Sequence, residues 1–175
     1  QMNQPLGALV SSPLSLDLSH LPAYTLRTTL RMFIALFASL VFSLVVATLA
    51  AKSRKAALVI LPALDILQSV PVLGFLTFTV VFFMGLFPGK ETGVECAAIF
   101  AIFTSQVWNM TFSVYQSLRT VPHDLQEVSR QFALSPWQRF VRLELPFATP
   151  GLVWNMMMSM SGGWFFVVAS EAITV

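Results

Sequence analysis

The sequence has little charge. Lys, Arg, Asp and Glu make up 10% of its 175 residues, against about 25% in an ordinary soluble domain. With 56% hydrophobic residues and a mean hydropathy of +0.76, that scarcity excludes a typical soluble fold. Cysteine is almost missing as well. Cys96 stands alone, which excludes an internal disulfide and a multi-cysteine metal site. Histidine is limited to His20 and His123, which fall in two polar stretches too far apart to share a site. There is no Gly-x-Ser-x-Gly, no His-Glu-x-x-His and no Gly-rich phosphate loop ending in Lys. The sequence therefore carries no enzyme signature, hydrolyses no ATP of its own, and calls for no cofactor or metal. It also lacks a basic n-region and an initiator Met, starting at Gln1 and stopping at Val175 directly after an apolar run. We expect a piece of a longer protein.

What is there is long stretches without charge. Met32–Ala51, Ile66–Gly89, Ala97–Leu118 and Leu145–Ser170 contain no Lys, Arg, Asp or Glu. Each is long enough to cross a hydrocarbon layer of about 30 Å as a helix rising 1.5 Å per residue. Four such runs predict an all-α, polytopic membrane protein in contact with the lipid bilayer.

The basic residues are placed unevenly. Lys52, Arg54 and Lys55 lie between the first and second runs, and Arg119, Arg130, Arg139 and Arg142 between the third and fourth. Two spans separate these loops, so they share a side, and the excess of positive charge makes that side cytoplasmic. The Pro88–Cys96 connection, with Lys90 against Glu91 and Glu95, and the polar segment 1–23 then face outward as periplasmic elements. Basic residues so placed do not suit nucleic acid.

Along the chain, the first span is expected over Tyr24–Ala51. The second, from about Ala56 to Phe87, contains Pro62 and Pro71 and should be kinked or divided, because proline removes a helical hydrogen bond and disfavours helix at the residue before it. The third covers Ala97–Leu118 and the fourth Ala148–Ser170, where Gly162-Gly163 suits a close helix approach. Between the last two spans, the polar loop 119–147 carries two helix-start signals. Asp124-Leu-Gln-Glu127 and Ser135-Pro-Trp-Gln138 have capping-box spacing, the second with proline at the first helical position. Two short helices, Asp124–Ala133 and Pro136–Leu143, should meet near Ala133–Ser135. The first would present Leu125, Val128 and Phe132 on one face at i, i+3 and i+7.

The stretch Glu127–Pro146, EVSRQFALSPWQRFVRLELP, resembles the EAA loop in the membrane subunits of binding-protein-dependent ABC importers. That pattern is Glu-Ala-Ala, three residues, Gly, nine residues, Ile, one residue, Leu-Pro. Here Glu127, Val128 and Ser129 stand at the first three positions, Ala133 at the Gly, Leu143 at the Ile, and Leu145-Pro146 close it. Asp65–Phe75 and Trp164–Glu171 resemble the nitrate/sulfonate/taurine branch of the same family.

The resemblance implies a type I importer permease core, with four of its five spans over 24–175 and a cytoplasmic coupling loop at 119–147. It implies a subunit of the bacterial inner membrane that forms the path for a small solute, with an anion such as nitrate, a sulfonate or taurine expected. Its implied partners are cytoplasmic ATPase subunits, a periplasmic solute-binding protein and a second permease unit, either another copy or the other half of a duplicated chain. The loop would dock in a cleft of the ATPase, with Leu125, Val128 and Phe132 as apolar anchors. Asp124, Glu127, Arg130 and Arg139 would pair at the rim, and a small Ala133 would permit close approach. A loop lying on the bilayer surface is the plainer alternative, and a secondary transporter or channel is the competing functional class.

A second set of polar residues lies within the runs. A carboxylate at membrane depth costs roughly 2.5–3.5 kcal/mol on insertion scales, so Asp65, with Gln68 and Ser69, either borders a wet path or packs, pairing with the loop arginines. Gln106, Asn109, Asn155 and Ser159 could line the same path or form helix–helix contacts, each of the latter worth about 0.6 kcal/mol. Glu171, at the outer end of the last run, would be an interface charge or a gate residue.

Overall fold

The computed structural model describes residues 21–70, 72–88 and 91–174, with side chains except at 72–76, 91, 166 and 169–174. Every regular element among them is helical. Helix α1 spans Leu21–Lys52, α2 Arg54–Ser69, α3 Val72–Leu86 and α4 Glu91–Arg119. Two short helices follow, α5 at His123–Gln131 and α6 at Pro136–Arg139. A π-helical turn, Phe140–Glu144, then joins α6 directly to α7, Leu145–Thr174.

The proline rules act as expected at one site and not at the other. Helix α2 ends at Ser69 and α3 begins at Val72, with Pro71 outside the described residues, while Pro62 is carried inside α2. Among the described residues, two helical stretches are long and apolar enough to cross a membrane, 21–52 and 92–119. The second run is divided between α2 and α3. The expected boundaries shift elsewhere too. Helix α1 starts three residues before Tyr24, and α4 takes in Glu91 and Glu95, which were expected in a connection. Helix runs without a stop from Pro136, so regular structure is already under way before Ala148. The linker 1–23 lies outside the described residues except for its last three.

In α1, the buried positions Met32, Ala35, Leu36, Ser39, Ser43, Ala47 and Ala50 recur at helical spacing. They are mostly small. Phe33, Ile34, Phe37, Val41, Val45 and Leu49 point outward and are exposed. Small or hydroxyl residues inside and large apolar residues outside invert the soluble pattern, and suit a helix whose outer solvent is hydrocarbon.

The described residues form two compact units, one drawn from within 1–38, 70–105 and 161–175, the other from 39–69 and 106–160. In the first, Glu95 of α4 sits between Arg27 and Arg31 of α1. Both arginines donate to its carboxylate, Arg31 through Nη2 at 2.7 Å. This is why α4 can carry Glu95 in an apolar setting: its charge is paired within the fold. Nearby, α3 and α4 come so close that a Cβ on Gly93 would stand 2.8 Å from the Phe83 carbonyl oxygen. Phe83 in turn packs on Phe100, their ring centroids 5.8 Å apart.

In the second unit, the Ser43 hydroxyl lies 3.0 Å from Thr111 Oγ1 and donates to the Val107 carbonyl at 3.3 Å, joining α1 to α4. Gly151 of α7 faces Ser113 and Ser117 of α4, where a Cβ would approach Ser113 Oγ to 3.2 Å. Of the expected pair Gly162-Gly163, Gly162 is exposed, with nothing beyond its own stretch of helix within 4 Å of where a Cβ would be, while Gly163 is buried.

Candidate functional site

The polar loop between α4 and α7 is built on a helix-stop motif. Phe132 caps α5, Ala133 adopts a left-handed φ of 47°, and two backbone bonds close the turn. Ala133 N–H donates to the Arg130 carbonyl at 2.9 Å and Leu134 N–H to the Ser129 carbonyl at 3.1 Å. This is the Schellman pattern, in which the residue after the cap is normally glycine because a Cβ disfavours positive φ. Sequence reasoning gave Ala133 a small side chain for close approach. The structure gives a different reason, the backbone conformation itself.

The second helix starts as its residues demand. Ser135 Oγ accepts from Gln138 N–H at 3.3 Å, and Gln138 Oε1 accepts from Ser135 N–H at 3.0 Å, a complete capping box with Pro136 at the first helical position. The box expected at Asp124–Glu127 does not form. Helix α5 starts one residue earlier, at His123 after Pro122, with no side-chain cap. Proline's fixed φ sets that start without a hydroxyl. Glu127 instead lies 3.7 Å from His123 Nδ1, an ion pair when the imidazole is protonated.

Leu125, Val128 and Phe132 are all exposed, Phe132 by 74%, and share one face of α5. Trp137, 72% exposed, adds a fourth large apolar side chain just past the turn. Asp124, Glu127 and Arg130 are exposed around them. Ser129 is buried, its hydroxyl donating to the Gln126 carbonyl at 2.6 Å. The pattern is an apolar patch with a charged rim on a stiff, locally capped knob. Leu143 and Leu145 are half-buried and Pro146 exposed at the start of α7.

Arg139, expected at the rim, is paired within the chain. Its Nε lies 3.1 Å from Glu144 Oε1, while Lys52 Nζ, at the end of α1, lies 3.1 Å from Glu144 Oε2. Glu144 is buried, with 6% of its surface exposed. Lys52 also stands over the Phe140 ring, 5.3 Å from its centroid. The first and last residues of the π-turn thus both reach one lysine. An open pocket of about 410 Å³ lies beside them, lined by Lys52, Arg119, Leu134, Pro136, Arg139 and Glu144. Sequence reasoning passed over Glu144, which occupies the unspecified position between Leu143 and Leu145. The available signal was an acidic residue directly before the 26-residue charge-free run Leu145–Ser170, next to a basic-rich loop.

The second set of polar residues is not gathered into one place. Asp65 and Gln68 are exposed, with Gln68 Nε2 donating to Asp65 Oδ1 at 3.0 Å. Ser69 Oγ donates to the Asp65 carbonyl at 2.6 Å. The loop arginine that is paired, Arg139, is held by Glu144 rather than by Asp65. Asn109 is exposed. Gln106 is fully buried, its Nε2 3.8 Å from Met160 Sδ, and Ser159 is buried beside it, its hydroxyl 3.5 Å from the Gln106 carbonyl. Asn155 bonds within its own helix, to the Gly151 carbonyl at 2.9 Å. Glu171 lies in α7, and its side chain is outside the described ones.

Known proteins resemble the chain. It is 26% identical over 113 residues to the nitrate import permease protein NrtB of Leptolyngbya laminosa, covering 65% of this chain and 38% of that protein. It is 27% identical over 77 residues to the bicarbonate transport system permease protein CmpB of Synechocystis sp., covering 44% and 28%. It is 32% identical over 125 residues to the glycine betaine/proline betaine transport system permease protein ProW of Escherichia coli, covering 71% and 33%. The chain therefore spans about a third of the length of these relatives. Residues 39–175, which include the Schellman turn, the π-turn and the whole of α7, match the model of one family. By that match the chain belongs to the binding-protein-dependent transport system inner membrane components.

Proposed function

We propose that this chain is the membrane-spanning permease part of an ATP-driven importer, and that the loop 119–147 is where a separate ATPase subunit docks. One observation carries the reading. Leu125, Val128 and Phe132 stand exposed on one face of α5, ringed by charge and held by a Schellman turn inside the region of family likeness. A capped knob with unpartnered apolar anchors is suited to a groove in a soluble protein, where desolvating a few large side chains supplies most of the binding energy. Rim charges such as Glu127 and Arg130 would set orientation and on-rate.

In this reading, residues 24–175 form the transmembrane domain, with four crossings, the loop on the cytoplasmic face and residues 1–23 on the periplasmic face. Two such units enclose the path, a second copy or the other half of a duplicated chain, and a periplasmic solute-binding protein delivers the solute. The solute is a small molecule with an oxyanion group. The named relatives support that class, since nitrate, bicarbonate and the carboxylate of a betaine share it. Gln68, Ser69 and Asn109, being exposed in the chain by itself, are the better placed of the path candidates, while the Asp65 carboxylate, which would repel an anion, suits a packing role. Gln106, Asn155 and Ser159 are taken up by contacts within the chain, and Glu171 stays a proposed gate residue.

The test is Phe132→Asp in the full complex. We expect normal membrane insertion, at least tenfold less ATPase subunit retained on purification, and uptake lost in parallel. Retention of the ATPase with wild-type uptake would remove the docking role. Uptake that proceeds on an ion gradient without ATP would favour a secondary transporter.

A further inference from the structure

We propose that Glu144 is a positioning residue for transport: it joins the ATPase-docking loop to the corner between α1 and α2, so that movement of the loop is delivered to the first membrane helix. The proposal rests on the docking reading and adds a route inward from it.

Three observations meet at this residue. Glu144 is buried yet contacted by cations from two separate elements, Lys52 at the end of α1 and Arg139 at the end of α6. A buried carboxylate with two cationic partners holds their elements together, since pulling either partner away leaves charge uncompensated in a poorly solvated place. Glu144 also ends a π-turn, a wide turn rare in proteins and frequent where a helix must do something other than persist. Finally, Lys52 is the last residue before a tight corner. Ser53 N–H donates to the Leu49 carbonyl at 3.1 Å, Ala57 N–H to the Ser53 carbonyl at 2.9 Å, and Ala56 N–H to Ser53 Oγ at 3.3 Å. A lysine fixed to so stiff a corner moves only with it.

The contact is also adjustable. Arg139 Nε and Glu144 Oε2 lack an aligned hydrogen bond although their ion-pair distances are 3.1 Å. The attraction at this joint is mainly Coulombic, and Coulombic attraction tolerates rotation where a hydrogen bond does not. Lys52 keeps a second hold on the Phe140 ring. The joint can therefore change angle as the loop tilts without letting go of α1.

The experiment uses the complete transporter with its ATPase subunit in proteoliposomes, measuring ATPase retention, ATP turnover and uptake in the same sample. Glu144→Gln and Lys52→Met should keep the ATPase bound and turning over, while uptake per ATP falls at least tenfold. Lys52→Arg should stay within twofold of wild type, because it keeps the cation facing Glu144. Lys52 is partly exposed, so Lys52→Met keeps the test open if Glu144→Gln does not fold. Wild-type uptake per ATP in Lys52→Met, with ATPase retained, overturns the joint and leaves the docking reading untouched. Retention of the ATPase by Phe132→Asp overturns the docking reading whatever the Glu144 variants do.

Discussion

Two buried carboxylates hold α1, and they hold it differently. Glu95 is clasped by Arg27 and Arg31, one helical turn apart on α1, through aligned guanidinium hydrogen bonds. Glu144 meets Lys52 and Arg139 from two different elements, at ion-pair distance but without hydrogen-bond alignment. The first arrangement fixes one helix against another in a single geometry. The second joins two elements by charge without a fixed hydrogen-bond geometry. The difference teaches that charge at the margin of an apolar fold can act as a brace or as a pivot, and that alignment, more than distance, tells which.

The largest expected effect tests the brace. Glu95→Gln removes the negative charge between two guanidiniums, and breaking a buried ion pair in this way costs about 3–5 kcal/mol. Part of that is lost to solvent screening, because the Arg27 side chain is 39% exposed. We expect a clear drop in thermal stability in detergent and less protein in the membrane. Glu144→Gln should cost less stability than Glu95→Gln. The reverse order would break the comparison.

A middle-sized effect sharpens it. Gly93, two residues before Glu95, has the Phe83 carbonyl oxygen 2.8 Å from where a Cβ would stand. The obstacle is backbone, which cannot swing aside as a side chain can. Gly93→Ala should therefore destabilise by about 1–3 kcal/mol, seen as a lower melting temperature. Wild-type stability would mean that α3 and α4 can separate and that the braced region is not rigid.

The smallest effect lies on the pivot side and has the opposite sign. Ala133 occupies a left-handed conformation that costs an L-residue roughly 1–2 kcal/mol. Ala133→Gly should stabilise the loop by about 1 kcal/mol or less, because glycine gains freedom in the unfolded chain as well. Slower amide exchange in α5 is the measurement. Unchanged or faster exchange would mean that the Schellman turn is not what holds the knob.

Much of this was legible in the residues. The charge-free runs marked the long helices, Pro71 marked the break between α2 and α3, and Ser135-Pro136 with Gln138 marked the start of α6 to the residue. The exposed face of Leu125, Val128 and Phe132 followed from helical spacing alone. What could not be read was pairing over long separations. Nothing local to Glu95 announces Arg27 and Arg31 more than sixty positions away, and nothing local to Glu144 announces Lys52. The residues around Glu95 alone thus suggest a connection, and those around Glu144 suggest no role for it. The Asp124–Glu127 capping box failed for a local reason, since Pro122 supplies its own fixed φ and the helix begins before the box can close.

The π-turn has one more consequence, concerning phase. Helix continues unbroken from Pro136 to Thr174, so a side chain's compass bearing anywhere along α7 is counted from α6. An α-helix advances about 100° per residue, and a π-turn accommodates one residue more per turn. If Phe140–Glu144 were wound as ordinary α-helix, everything beyond it would be displaced in azimuth by about one residue's step. Gly151 would no longer face Ser113, and the exposed Trp154, Met157 and Met158 would look in another direction. Five residues at the base of a loop thus set which side of a thirty-residue helix meets its neighbours.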